Sequence, residues 1–197
     1  MKKIVILGAN GQIARAAIAL FLERTDAQLT LYLRQSRRLS QFTGNARVRV
    51  MEGDVLDPAG LEAAIAGQDV VYANLDGQLA QQARLIISAM MKTGVQRLIF
   101  ISSMGIYGEV PGERYRSILD PYRDAAFAIE ASNLDYTIIR PEWLNNNNEI
   151  DYGTTRKGEP FKNPHATVSR KSVADLVVNL AMTPGLESRQ SLGVHKR

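Results

Sequence analysis

The first apolar run of the chain, Lys3–Leu7, stops at Gly8-Ala9-Asn10-Gly11, and a helical pattern opens at once with Gln12. Few local arrangements constrain a fold more. A strand that becomes a helix within four residues predicts a crossover unit, because Gly8 permits the tight turn and small Ala14 allows close helix–strand packing. Gly11 lets backbone approach a pyrophosphate, and the helix start offers free N–H groups and its positive dipole end to phosphate. The predicted contact set is Gly8, Asn10, Gly11, Gln12 and Ile13. The bland alternative is an ordinary strand-to-helix turn. A Walker-type loop is excluded, since no Lys-Ser or Lys-Thr follows the second glycine.

The same rhythm continues to about residue 140. Short runs rich in Val, Ile, Leu and Tyr at Leu29–Leu33, Val48–Glu52, Val70–Asn74, Leu98–Ser102 and Tyr136–Arg140 read as buried strands. Helical patterns cover Gln12–Arg24, Pro58–Ala66, Leu79–Thr93, Pro121–Ser132 and, weakly, Arg37–Phe42. Asp57-Pro58 and Asp120-Pro121 each read as an N-cap with proline at the first helical position, and Gly67 and Gly94 as helix ends. Alternation of this kind predicts an α/β fold with a doubly wound, mostly parallel sheet covered on both faces. With 197 residues, one domain is expected. Its core is 1–141, and 142–197 is read as a small C-terminal substrate cap with a helix at Lys171–Met182 and a last strand at Ser191–Val194. Asn145–Asn148 reads as a flexible loop.

The end of the second strand bears on which dinucleotide binds. An Asp or Glu there would accept from the adenosine ribose hydroxyls. The chain has Arg34 instead, with Arg37 and Arg38 close behind, and no acid between residues 30 and 50. A guanidinium pairs with a 2′-phosphate that a carboxylate would repel, so NADP is expected, with NAD the alternative. A solvated Arg-rich loop is the competing reading. Asp54 meets an adenine edge through its side chain or the Val55 backbone, or is a plain turn residue. Asn74 is expected beneath the ribose and diphosphate. The net charge of +4 invites a nucleic-acid reading, but the arginines sit where a cofactor phosphate explains them, so no nucleic-acid partner is expected. There is no Cys and only two His, too far apart for an HExxH-type zinc helix, which removes thiolate chemistry and Cys-based zinc sites, and no metal is expected. No apolar span of membrane length follows Met1-Lys2-Lys3, so neither a membrane nor export is expected, and the chain reads as cytoplasmic.

Taken together, the Gly8–Ala14 loop, Gly53-Asp54-Val55, Ile101-Ser102-Ser103, Leu134–Pro141, Val168-Ser169-Arg170 and Val173-Ala174-Asp175 resemble the atypical short-chain dehydrogenase/reductases of the NmrA-like branch. The resemblance implies a Rossmann-like domain with a nicotinamide cofactor along the C-terminal strand edge. Pro141 would border the nicotinamide, with Ser102 and Ser103 on the other flank. One departure stands out. Most enzymes of the wider superfamily carry Tyr-x-x-x-Lys, where the Lys lowers the phenol pKa. None of the seven tyrosines here has Lys four residues on, and Tyr122, the candidate by position, has Ala126. Two readings follow. One is an NADP(H)-dependent oxidoreductase passing hydride to a small, conjugated, quinone- or flavin-like acceptor, with Ser103, Tyr122 and Tyr107 as the available hydroxyls. The other is a non-enzymatic NAD(P)H sensor with a protein partner.

Overall fold

Strand β1 (Lys3–Leu7) is buried along four of its five residues, because both of its faces are covered. Ile4 and Ile6 enter one apolar cluster and Val5 and Leu7 the other, the alternation a pleated strand imposes. The computed structural model describes residues 1–197. After β1 come α1 (Gln12–Arg24), β2 (Gln28–Leu33), a 3-10 turn (Ser36–Phe42), β3 (Val48–Glu52), α2 (Pro58–Ile65) and β4 (Val70–Ala73). Then follow α3 (Leu79–Thr93), β5 (Arg97–Ile101), α4 (Asp120–Glu130) and β6 (Asp135–Pro141). The remainder holds β7 (Leu144–Asn145), β8 (Gly153–Arg156), β9 (Val168–Ser169), α5 (Arg170–Met182) and β10 (Gln190–His195).

Eight strands form one sheet in the order β3-β2-β1-β4-β5-β6-β10-β8, all parallel except β8, which runs antiparallel to β10. α1 and α5 bury their apolar sides against one face, and α2, α3 and α4 cover the other. The fold is Rossmann-like and doubly wound. Its first half grows leftward from β1 and its second rightward from β4, so the chain reverses direction between these two neighbouring strands. A crevice opens at the carboxyl ends of strands where the winding reverses.

Much of the tail expected as a cap is built into the sheet. The outer edge of β6 would otherwise present a row of unpaired N–H and C=O groups. β10 covers it in parallel register, with Leu192 beside Ile139, and β8 closes the edge. Asp57 caps α2 as expected, accepting from the N–H groups of Ala59 and Gly60. Asp120 does not cap α4. A 3-10 turn, Ser117–Leu119, runs directly into that helix, and the Asp120 carboxylate accepts from the Tyr115 hydroxyl instead. The asparagine run is tied down as well: Asn145 donates to Thr167, while Asn146 and Asn148 accept from Arg170 and Lys171 at the start of α5.

Candidate functional site

The turn after β1 is held by main-chain bonds: the Gly8 N–H donates to the Tyr32 carbonyl at 3.0 Å, and the Gly11 N–H to the Gly8 carbonyl at 3.0 Å. Gly8 has φ +76°, and a side chain there would overlap the Asn74 carbonyl after β4. A Cβ on Gly11 would overlap the Asn74 amide. Both glycines thus let the β1 and β4 loops close on each other, in addition to leaving room for a ligand. Gly11 precedes α1 and has no side chain to cap it, so the N–H groups of Gln12 and Ile13 lack intrahelical partners. Arg15, absent from the expected set, braces the loop. It donates to Asn10 Oδ1 at 2.6 Å and to the Arg38 carbonyl at 3.0 Å.

A cleft of about 680 Å³ lies across these loops. Gly8, Asn10, Gly11 and Asn74 line its floor, and Arg34, Asp54 and Val55 its far end. Arg37 does not line it; Arg38 takes that place beside Arg34. The 3-10 turn is pinned by buried Leu39, and its geometry sets which arginine faces the cleft. Glu52, the nearest acid on β3, is occupied by the Ser36 N–H and hydroxyl at 2.8 and 2.6 Å. Those bonds hold its carboxyl below the usual range. The Asp54 carboxylate accepts from the Leu56 N–H at 2.9 Å and fixes its own turn, while Tyr32 donates to the Asp54 carbonyl at 3.0 Å. The Gln12 side chain lies outside the cleft, in the open groove shared with Arg15 and Glu23. Gln82, from a buried position on α3, lines the cleft, and its carbonyl oxygen has no partner. A glutamine on the buried side of an amphipathic helix was the sequence signal for it.

Leu75 is shared with a second hollow of about 410 Å³ across the ends of β5 and β6, so the two form one groove. Ile13, Ser102, Ser103, Tyr122 and Pro141 meet there. Ser102 is buried, and its hydroxyl lacks any partner in the protein. Ser103 donates to the Met104 carbonyl at 3.2 Å. Tyr122 is kept above the ordinary phenol range by burial and, secondarily, by the Asp76 carboxylate, so it stays neutral at physiological pH. Tyr107 is not brought to the groove. Its hydroxyl donates to Glu130 at 2.6 Å and lies 3.2 Å from the Ser191 hydroxyl. Burial, then the Glu130 bond, drives its pKa far up.

The loop that walls this half is latched from below. Arg140 on β6 is fully buried and pairs with Glu109, while its Nε donates to Ser191 Oγ at 3.0 Å. Glu109 also accepts from the N–H groups of Gly105 and Tyr107. Arg114, Arg116, Trp143 and Arg170 also line it, and the sequence singled out none of the three arginines for the site. Arg114 and Arg116 lie in an irregular loop with no periodicity to single them out, and Arg170 at the first position of α5. The groove suits a dinucleotide: it carries free helix-start N–H groups, exposed cations at one end, and the buried, unpartnered Gln82 Oε1 and Ser102 Oγ.

The sequence pattern of the NAD(P)H-binding family matches residues 8–184 of the chain. A Rossmann-fold NAD(P)-binding family protein from Shigella flexneri is 42% identical, with a TM-score of 0.87, covering 100% of this chain and 94% of its own. A short-chain dehydrogenase/reductase from Veillonella parvula DSM 2008, solved in complex with NADP, is 32% identical with a TM-score of 0.90, covering 99% and 94%. The sequence is also 27% identical over 191 residues to the uncharacterized sugar epimerase YhfK of Bacillus subtilis (strain 168), covering 89% of this chain and 86% of that protein. No helix is long and apolar enough to cross a membrane.

Proposed function

Because the chain belongs to the NAD(P)H-binding family, an oxidoreductase-type Rossmann family, we propose that it is an NADPH-dependent reductase of flat conjugated acceptors, quinone- or flavin-like. The observation that carries this reading is the single groove joined at Leu75. One end presents Arg34 and Arg38; the other presents Ser102, Ser103, Tyr122 and Pro141, with no lysine one turn from the tyrosine. When bound, NADPH supplies the hydride. Around it, the Gly8–Ile13 backbone holds the diphosphate, Arg34 and Arg38 hold the 2′-phosphate, and Asp54 and Val55 border the adenine. Ser102 gives its unpartnered hydroxyl to the ligand, and Ile13, Leu75 and Ile101 shed water from the reacting face.

A conjugated ring spreads incoming charge and takes its proton from water or a neutral hydroxyl, whereas an isolated ketone needs a poised donor. Tyr122 is neutral but has Ala126, not a cation, at the next turn. The same lack argues against carrying over sugar epimerisation from the Bacillus relative, since oxidising a sugar hydroxyl requires a base beside the hydride acceptor.

Arg34→Glu should weaken NADPH roughly tenfold or more while leaving NADH nearly unchanged, the scale of a charge-assisted hydrogen bond. Titration of both nucleotides against both proteins measures this; equal affinities throughout remove the NADP assignment. Tyr122→Phe should lower NADPH-dependent reduction of menadione or flavin by less than about tenfold. A loss on the order of 100-fold in folded protein that still binds NADPH would make Tyr122 the general acid. Tight NADPH binding with no turnover on either acceptor assigns the protein to the sensor class instead.

A further inference from the structure

Three arginines line the acceptor half of the groove: Arg114 and Arg116 from the wall loop and, from the start of α5, Arg170, which stands between this hollow and the neighbouring groove of Asn146. None of the three is in an ion pair, although Arg24, Arg97, Arg123, Arg140 and Arg156 all are. Arg170 is held by a 2.9 Å bond to Asn146 Oδ1, a neutral partner that orients the guanidinium and leaves its charge uncompensated. Glu113 and Glu142 are the carboxylates on the same lining. Glu142 is buried, one oxygen accepting from the Lys196 N–H and the other unpartnered, and it is paired with none of the three arginines. Trp143, the only tryptophan in the chain, lines the same hollow and is 53% exposed. A large aromatic face left open beside unpaired guanidiniums matches a flat ring that bears a negative group.

We infer that the acceptor is anionic: a flat conjugated molecule stacked on Trp143 whose carboxylate or phosphate is held by Arg114, Arg116 and Arg170. This rests on the reductase reading above, naming the charge of the acceptor that reading leaves open.

The test uses the full chain saturated with NADP⁺ and follows quenching of Trp143 fluorescence by three flavins that share one ring. Riboflavin is neutral, carboxymethylflavin bears a carboxylate, and FMN a phosphate. Both anionic flavins should bind about tenfold or more tightly than riboflavin, as charge-assisted hydrogen bonds do. The ratio between them tells carboxylate from phosphate. Arg114→Gln/Arg116→Gln and, separately, Arg170→Gln should bring the anionic flavins toward the riboflavin value, and added salt should do the same. Equal binding of all three flavins overturns the inference while leaving the reductase reading in place. Binding of none, in protein that still takes up NADPH, removes both.

Discussion

Glu109→Ala should destabilise the protein by about 3–5 kcal/mol, because it leaves the Arg140 guanidinium charged, fully buried and short of its carboxylate. That corresponds to roughly a 6–20 °C fall in Tm for a chain of this size. The same substitution frees the N–H groups of Gly105 and Tyr107, so the wall of the acceptor hollow loosens too. On the proposed assignment of the two halves, the KM for acceptor should therefore rise while the Kd for NADPH changes little. Adding Arg140→Met to a Glu109→Leu background should recover part of the lost stability, since the stranded charge is then gone. A loss below about 1 kcal/mol in Glu109→Ala would show that solvent reaches the pair and that it is no latch.

The second large effect is at the β1 turn. Gly8→Ala should cost about 3 kcal/mol or more, combining a left-handed backbone at φ +76° with overlap onto the Asn74 main chain, which cannot swing aside. Gly11→Ala overlaps the Asn74 amide, the mobile end of a side chain, and comes no nearer to main chain than 3.3 Å from the Gly8 carbonyl, while its φ of −60° is open to any residue. It should lose less stability yet still weaken NADPH binding, because the displaced amide lines the cleft. Chemical denaturation and NADPH titration of the two variants separate these outcomes. Equal stability losses would mean that the β4 loop yields as readily as the side chain.

The strands and long helices were readable because each is decided locally. A run such as Ile4–Leu7, apolar on both faces, fits only a doubly covered strand, and Gln12–Arg24 and Leu79–Thr93 matched their expected limits to the residue. The lining of the candidate groove was readable where backbone carries it, as at Gly8 and Gly11. It failed where distant contacts aim a side chain. Arg38 replaces Arg37 at the cleft because Leu39 anchors an irregular 3-10 turn with no sequence phase. Tyr107 turns away because the Glu109–Arg140 pair, 31 residues apart in sequence, sets the path of its loop. Residues 145–148 look featureless until the Arg170 and Lys171 that they bind are brought alongside.

The insertion of β10 between β6 and β8 has a bearing on how the protein is made. As the chain leaves the ribosome, β2 finds β1, β3 finds β2, and β4, β5 and β6 each find a neighbour already synthesised. The far flank of β6 has no such neighbour until residues 190–195 emerge. Until then Arg140 lacks the Ser191 carbonyl and hydroxyl that share in holding its guanidinium, and a dry interior around it is unfavourable. The strands beneath the β1 turn therefore all gain partners before the edge of β6, under the other half of the groove, is closed by the late strand.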